Sequence, residues 1–400
     1  MSKQIQDAYI VAATRLPVGR RKGMLGHVRP DDMLAHAIRS VMAQAPGLDP
    51  ALVEDVIVGC AMPEAEQGMN VARIGLLLAG MPNTVPGVTV NRFCASGLQT
   101  VAMAADRIRL GEADVMIAGG TETMSLMNQM TGNKTALNPL IFEKEENYAI
   151  GFGMGITAEK VAAQWQVSRE DQDAFAVASH QKACAAIDAG HFRAEITPYA
   201  VRARVPDLQS GEVRVKEYLA ENDEGPRRDS SIEGLARLRP VFAARGSVTA
   251  GNSSQMSDGA AAVLLVSEKV LKQFNLQPLA RFAGFAVAGV APEIMGIGPL
   301  EAIPRVLRQA GIGQHEVDWF ELNEAFAAQA LAVIRTLDLD PAKVNPLGGA
   351  IALGHPLGAT GAIRTATLVH GLQRTRQRYG MVTMCIGTGM GAAGLFESMQ

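Results

Sequence analysis

The sequence predicts an α/β protein made of two related domains that face each other across a cleft, with a third region inserted into the first. Three observations predict it. Short, apolar, β-branched runs alternate with stretches whose apolar residues recur at helical spacing. The second half of the chain echoes the first, element for element. Between the halves, from about residue 125 to 246, this regularity stops. A chain of 400 residues also exceeds what one ordinary core holds, so two or three domains are expected.

In the first half, Tyr9 to Ala12 is expected to be a buried strand and Asp31 to Ala43 a helix capped by Asp31 or Asp32. Asp55 to Cys60 reads as the next strand. Val71 to Ala79 reads as a helix that ends in the turn at Met81, Pro82 and Asn83. Val85, Val88, Thr89 and Val90 then form a strand-like approach, and Leu98, Val101, Ala105 and Ile108 follow at helical spacing until Gly111 stops them. Cys94 therefore falls at a strand-to-helix elbow. Asp114 to Gly120 is apolar on both faces, as in a central strand of a parallel sheet.

The region 125–246 has a different character. Asn128 to Tyr148 shows no clear period, and Arg202 to Arg245 is crowded with charges of both signs. One helix stands out. Ser168 opens it like a capping box that lacks the final Glu, and it runs to about Ala189 before Gly190. The region is read as an excursion from the first domain, which gives domains at 1–124 with 247–272, 125–246, and 273–400.

Gly259 to Val266 is a dense apolar strand that rejoins the first sheet, and Ala280 to Val287 begins the second series. Val317 to Leu322 parallels Val53 to Val58. Val344 and Asn345 lead through glycines to a helix at about Ala359 to Gln373, as Val90 and Asn91 lead to the Cys94 helix. Met381 to Cys385 ends at glycines, as Val115 to Gly120 does, and is read as the last strand. Two such domains face to face bring both elbows to one cleft. His355, on the second elbow, then stands near Cys94.

Composition narrows the function. A formal charge of -3 offers no basic surface for nucleic acid or for an anionic membrane. Four cysteines, widely spaced and without CxxC pairing, indicate neither a metal site nor a disulfide framework. Reduced thiols in a cytoplasmic setting fit, with no targeting signal after Met1 and no apolar run near the ~20 residues of a membrane helix.

The chemistry concentrates in four places. Cys94 lies in Asn-Arg-Phe-Cys-Ala-Ser-Gly-Leu-Gln, where the helix N-terminus favours the thiolate, the form that attacks carbonyls. Its plain alternative is a small buried hydrophobe. His355 lies in Gly-Gly-Ala-Ile-Ala-Leu-Gly-His-Pro-Leu-Gly, within reach of activating a thiol, or else is a turn histidine bonded to backbone. Asn323, in Asn-Glu-Ala-Phe-Ala, is by position a helix N-cap, and alternatively an amide that serves an oxyanion directly or through water. Cys385, in Cys-Ile-Gly-Thr-Gly-Met-Gly, is a second thiol at a glycine-rich mouth, or a packed strand cysteine. The C-terminal glycines are not a dinucleotide loop, because no βαβ unit follows them, and no Gly-Lys-Ser/Thr marks a phosphate loop.

In their order and wording these four motifs resemble the signatures of the thiolases. The resemblance extends over nearly the whole chain, including Thr249 to Ser254 and Met154 to Glu159. It implies the thiolase fold: two similar mixed-sheet α/β domains facing each other, with an inserted loop domain covering the coenzyme A site. The implied activity is reversible cleavage of 3-ketoacyl-CoA by CoA, giving acetyl-CoA and a shortened acyl-CoA, as in fatty-acid β-oxidation. CoA is then a co-substrate, and no permanently bound cofactor is expected.

By the same resemblance, Cys94 is the nucleophile that carries the acyl thioester and His355 is its general base. Cys385 is the acid that protonates the departing enolate. His355 and a water held by Asn323 serve one oxyanion, and the N–H groups of Cys94 and Gly387 serve the other. Arg227 and Ser254 are expected to contact CoA, and Met154 to line the acyl side; Arg227 alone reads as one surface arginine among many. CoA thioesters are the expected partners, in a homodimer or homotetramer, with room for association with other β-oxidation enzymes. Gly153 replaces a histidine of short-chain biosynthetic relatives and leaves space near the acyl group, which points to the degradative 3-ketoacyl-CoA branch. Gly234 replaces a serine near CoA, so that contact is lost.

Other readings remain. One is a short-chain acetyl-CoA acetyltransferase making acetoacetyl-CoA. A condensing enzyme of the same fold lacks a second cysteine in the context of Cys385. A papain-like hydrolase has the order Cys, His, Asn, which Cys94, Asn323 and His355 do not follow. A non-catalytic carrier of acyl-CoA or lipid is the reading from outside enzymology.

Overall fold

The computed structural model describes residues 5–127 and 137–399. The first elements are β1 (Ala8–Arg15), β2 (Gly19–Arg20), α1 (Pro30–Ala43), β3 (Asp55–Gly59), α2 (Val71–Leu78), β4 (Gly87–Val90), α3 (Ser96–Arg109) and β5 (Val115–Thr123). The inserted region holds α4 (Met154–Gln164), α5 (Arg169–Asp188), the hairpin β6 (Tyr199–Pro206) and β7 (Val213–Ala220), and α6 (Ile232–Ala236). Then come β8 (Ser257–Ser267), α7 (Glu268–Gln273), β9 (Ala280–Gly289), α8 (Gly298–Ala310), β10 (Val317–Leu322), α9 (Ala327–Thr336), α10 (Ala350–Leu353), α11 (Leu357–Thr375), β11 (Tyr379–Ile386) and β12 (Met390–Ser398).

The echo between halves is visible in the strand order. The first half runs β4-β3-β5-β8-β1, with β3 parallel to β4 and β5 and the remaining pairs antiparallel. The second runs β10-β11-β12-β9, parallel between β10 and β11 and antiparallel thereafter. Val344 makes a single parallel bridge to Phe320, in the place that β4 occupies in the first half. The halves join where β1 meets β9, through Tyr9 opposite Arg281 and Ile10 opposite Ala280.

Two helices belong to both halves. Alternate side chains of a strand point to opposite faces. On β8, Val263 and Leu265 pack with residues of α3 and α11, such as Leu98 and Leu368, whereas Leu264 and Val266 pack with α1 and α2. On β12, Ala392 and Phe396 turn toward the same α3 and α11 cluster, and Ala393 and Leu395 toward α8 and α9. The result is five layers, helix, sheet, helix, sheet, helix, with α3 and α11 in the middle. These two helices touch backbone to backbone: a Cβ on Gly361 would lie 2.1 Å from Leu98 N, and one on Gly97 would lie 2.7 Å from Ala362 N.

Several local expectations need correction. Helix α1 is capped by Arg29, with Pro30 in its first turn, and no side chain caps it; Asp31 instead pairs with Arg29. The strand ending at Cys385 is not the last, since β12 follows and lies between β11 and β9. The glycine-rich stretch before α11 also contains the short helix α10. The charged stretch after Arg202 holds most of the β6–β7 hairpin. Of Asn128 to Tyr148, residues 128–136 lie outside the described residues, and the rest makes two 3₁₀ turns. Ser168 does cap α5, its Oγ accepting from the Asp171 N–H at 3.0 Å.

A buried arginine ties the insertion to the first sheet. Arg15, at the end of β1 and 1% exposed, donates to both carboxylate oxygens of Asp223 at 2.7 and 2.9 Å and to Glu195 at 2.6 Å.

Candidate active site

Cys94 follows an unusual piece of backbone. After β4 the chain enters a 3₁₀ turn over Phe93–Ala95, and Phe93 has φ +45°, in the left-handed region that a bulky side chain avoids. Side chains hold this turn. Asn91 Oδ1 accepts from the Phe93 N–H at 2.7 Å, while Ser96 Oγ accepts from the Arg92 N–H at 2.8 Å and donates to the Phe93 carbonyl at 2.7 Å. The Cys94 thiol receives hydrogen bonds from the Gly387 N–H and from its own N–H.

These bonds do not make a resting thiolate. Burial outweighs them and, with a smaller push from the Glu122 charge, raises the thiol to about 11. The expectation that the helix terminus favours the thiolate is therefore corrected for the free protein. Desolvation wins.

His355 enters between Gly354, at φ +90°, and Pro356. It is 4% exposed. Its Nδ1 is 2.6 Å from Thr360 Oγ1, on the first turn of α11, and its Nε2 is 3.3 Å from Asn323 Nδ2. Its backbone N–H donates to Ser257 Oγ at 3.1 Å. Burial, helped by the Arg364 charge, lowers the imidazole to about 3, so it is neutral across the physiological range.

Asn323 is not a helix cap. Helix α9 starts at Ala327 with Phe326 at its cap, which leaves Asn323 in the link from β10 and its amide on His355. Its Oδ1 is buried and has no protein partner among the described residues. Glu324 fixes this link by accepting from Ser179 Oγ at 2.7 Å, Asn345 Nδ2 at 2.9 Å and the Ile351 N–H at 3.2 Å.

Cys385, 1% exposed near the end of β11, packs in an apolar cluster with Met154, Ala158, Met295, Ala325 and Phe326. Burial pushes its thiol well up, and the neighbouring Cys94 pushes it further, so the two sulfurs share one poorly solvated space. Gly387 borders the same cluster, since a Cβ there would lie 3.5 Å from Met154 Sδ. The structure thus brings Cys94, Cys385, Gly387 and Met154 together, and pairs His355 with Asn323.

A cleft of roughly 350 Å³ lies on the insertion side of the His355 loop, sharing Gln255 with it. Gln255 and Ile351 line it, and the Gln255 carbonyl accepts from the His355 N–H at 3.3 Å. Arg227, His180 and Gly234 also line it. Ser254 does not; it is partly buried and its N–H donates to the Ala325 carbonyl at 2.9 Å. His180 accepts from the Arg227 N–H at Nδ1, which leaves its proton on Nε2, and burial lowers it to about 4.

The family models for "Thiolase, N-terminal domain" and "Thiolase, C-terminal domain" match residues 8–269 and 276–398. The chain belongs to the thiolase family. As a thiolase it is an enzyme of the acyltransferase class and has the thiolase fold. It is 51% identical to the 3-ketoacyl-CoA thiolase of Bacillus subtilis over 98% of this chain and 100% of that protein. It is 46% identical to the acetyl-CoA acetyltransferase of Pseudomonas aeruginosa, over 97% and 98% of the two chains. The crystal structure of human mitochondrial 3-ketoacyl-CoA thiolase superposes with a TM-score of 0.88 at 38% identity, covering 99% of this chain and 100% of that one.

Sequence reasoning missed several groups in this thiolase. Thr360 holds the His355 ring, His180 faces the cleft, and Glu122 lies under both elbows. Glu122 and His180 carry no local signal, because their partners lie far away in the chain, and Thr360, five residues after His355, is not marked out by its residue type.

Proposed function

We propose that this thiolase cleaves 3-ketoacyl-CoA with CoA, releasing acetyl-CoA and a chain-shortened acyl-CoA, in fatty-acid β-oxidation. The observation that carries this reading is the 51% identity to a 3-ketoacyl-CoA thiolase over essentially both whole chains. Gly153 is exposed and a Cβ there would meet no atom within 4 Å; since the resemblance places this position beside the acyl group, the missing side chain favours an acyl group longer than acetyl. The likeness to an acetyl-CoA acetyltransferase favours the second reading, synthesis of acetoacetyl-CoA by the reverse reaction.

At rest both partners of the nucleophile are uncharged. His355 Nε2 takes the Cys94 proton as the sulfur attacks the 3-keto carbon, so the thiolate forms only when it is used. The keto oxygen becomes an oxyanion that the N–H groups of Cys94 and Gly387 receive, each such donor being worth about 3 kcal/mol. The bond between C2 and C3 then breaks. The acyl group stays on Cys94 as a thioester, the electron pair goes to the acetyl-CoA enolate, and Cys385 gives the enolate carbon a proton. A water on the free Asn323 Oδ1, together with His355, stabilises the enolate oxygen. CoA then takes the acyl group from Cys94.

The cleft with Arg227 suits a phosphate-bearing thioester, with Ser254 at the edge of that site and the region 125–246 as its cover. The domain limits 1–124 with 247–272, and 273–400, a homodimeric or homotetrameric state, association with other β-oxidation enzymes and a cytoplasmic location complete the proposal. No helix among the described residues is long and apolar enough to cross a membrane.

The test is the intact mass after mixing with 3-ketoacyl-CoA esters of different lengths, without free CoA. The expected result is an acyl adduct two carbons shorter than the ester, mapped to Cys94. No adduct from any ester removes the mechanism. Cys385→Ala should still accept an acyl group from a simple acyl-CoA yet fail to make or break the carbon-carbon bond; full thiolysis by that variant would refute the role of Cys385.

A further inference from the structure

We propose that Glu122 is a positioning residue for the acyl-transfer step, holding the His355 loop of one half against the Cys94 turn of the other. This rests on the reading of Cys94 as the acyl carrier. Glu122 lies near the end of β5 and is 0% exposed. Its Oε2 accepts from the Ala61 N–H at 2.7 Å and from the Gly358 N–H at 2.8 Å. Its Oε1 accepts from the Met62 N–H at 3.3 Å and from the side-chain amide of Gln67, and the Cys60 thiol lies 3.8 Å away. Every partner donates, which suits an ionised carboxylate.

The partners come from both halves. Ala61, Met62 and Gln67 belong to the segment after β3, whereas Gly358 is on the first turn of α11, between His355 and the Thr360 that holds its ring. The approach is close enough to require glycine: a Cβ on Gly358 would lie 2.6 Å from Ala61 N and 2.8 Å from Glu122 Oε2.

The same carboxylate is linked to the nucleophile. The peptide between Ala61 and Met62 donates its N–H to Glu122 and accepts from Asn91 Nδ2 at its carbonyl, at 3.0 Å. Asn91 in turn accepts from the N–H of Phe93, the left-handed residue before Cys94. A continuous run of hydrogen bonds therefore joins the base of the His355 helix to the Cys94 turn, with Glu122 at its centre. A buried charge is a costly way to fill space, and an apolar side chain would pack there without that penalty. What a carboxylate supplies is several directed bonds from one atom group.

The experiment is single-turnover acylation of Cys94 by acetyl-CoA, read by intact mass, in the full-length protein, Glu122→Gln, His355→Ala and the double variant. Glu122→Gln places an N–H₂ where backbone N–H groups point, so acylation should slow by about tenfold to a hundredfold while the apparent affinity for acetyl-CoA stays within about twofold. If Glu122 acts through His355, the double variant is no slower than His355→Ala alone. An unchanged rate in Glu122→Gln, or losses that multiply in the double variant, overturns the proposal. Should Glu122→Gln fail to fold, Asn91→Ala breaks the same run at an exposed residue. It is expected to slow acylation with little change in affinity, and a normal rate there also overturns the proposal. A parent enzyme that takes no acyl group on Cys94 would instead remove the acyl-carrier reading beneath it.

Discussion

The buried imidazole of His355 is neutral in the folded chain, and this has a thermodynamic signature. His355 is held at about 3 in the folded chain, whereas an exposed histidine titrates near 6.5. Because the folded value is the lower one, the stability linked to His355 is complete above the unfolded value. It is lost as pH falls, since the unfolded chain then binds a proton that the native state refuses. Between pH 7 and pH 5 the loss amounts to about 2 kcal/mol. Urea unfolding of the parent and of His355→Gln at both pH values measures it: the variant should gain about that much relative to the parent at pH 5. A constant difference would mean that the ring is not buried and neutral. The residues named from the sequence here, Cys94, His355 and Cys385, were legible because each sits in a motif whose neighbours announce it. Glu122 was not, because a buried acceptor is recognised only by donors that folding brings to it.

Helices α3 and α11 meet at glycines that let the two backbones approach closely. Gly361→Ala forces a Cβ to within 2.1 Å of Leu98 N, and the two helices must separate. The cost should reach about 3 kcal/mol, seen as a melting point lower by several degrees, whereas Gly47→Ala, with nothing within 4 Å, should leave it unchanged. If Gly361→Ala melts like the parent, the middle layer is looser than described. Elements with strong local signals, such as the continuous apolar runs of β5 and β8 and the Ser168 cap of α5, were readable in advance. Strand β12 was not: Gly391, Ala392, Ala393 and Gly394 lack β-branched side chains, and only pairing with β11 and β9 makes them a strand. The β6–β7 hairpin was masked by charges on an exposed strand, and Asn323 looked like a cap because the next helix begins four residues later.

The whole molecule depends on a few ties between regions distant in the chain. Arg15 is one, joining β1 to the insertion through Glu195 and Asp223, and Asp223 also accepts from the Val18 N–H at 2.8 Å. Arg15→Met leaves two carboxylates buried without a cation, which should cost about 3–5 kcal/mol in urea unfolding. Because Asp223 precedes Arg227 on the same segment, affinity for CoA thioesters should fall as well; a variant as stable as the parent would show that the insertion is anchored elsewhere. The two-domain architecture itself was legible from the echo between halves, while its joint at β1 and β9 was not, since one pair of short contacts leaves no mark on either strand.

The strand order has a last consequence, for how the chain is made. Strand β1 leaves the ribosome first, but both of its neighbours, β8 and β9, are encoded beyond the insertion. At ~5–20 residues per second, translation needs roughly tens of seconds to supply them. Through that interval β1 and β5 have open edges, and the nascent chain is an aggregation-prone client for chaperones until β8 slides between them.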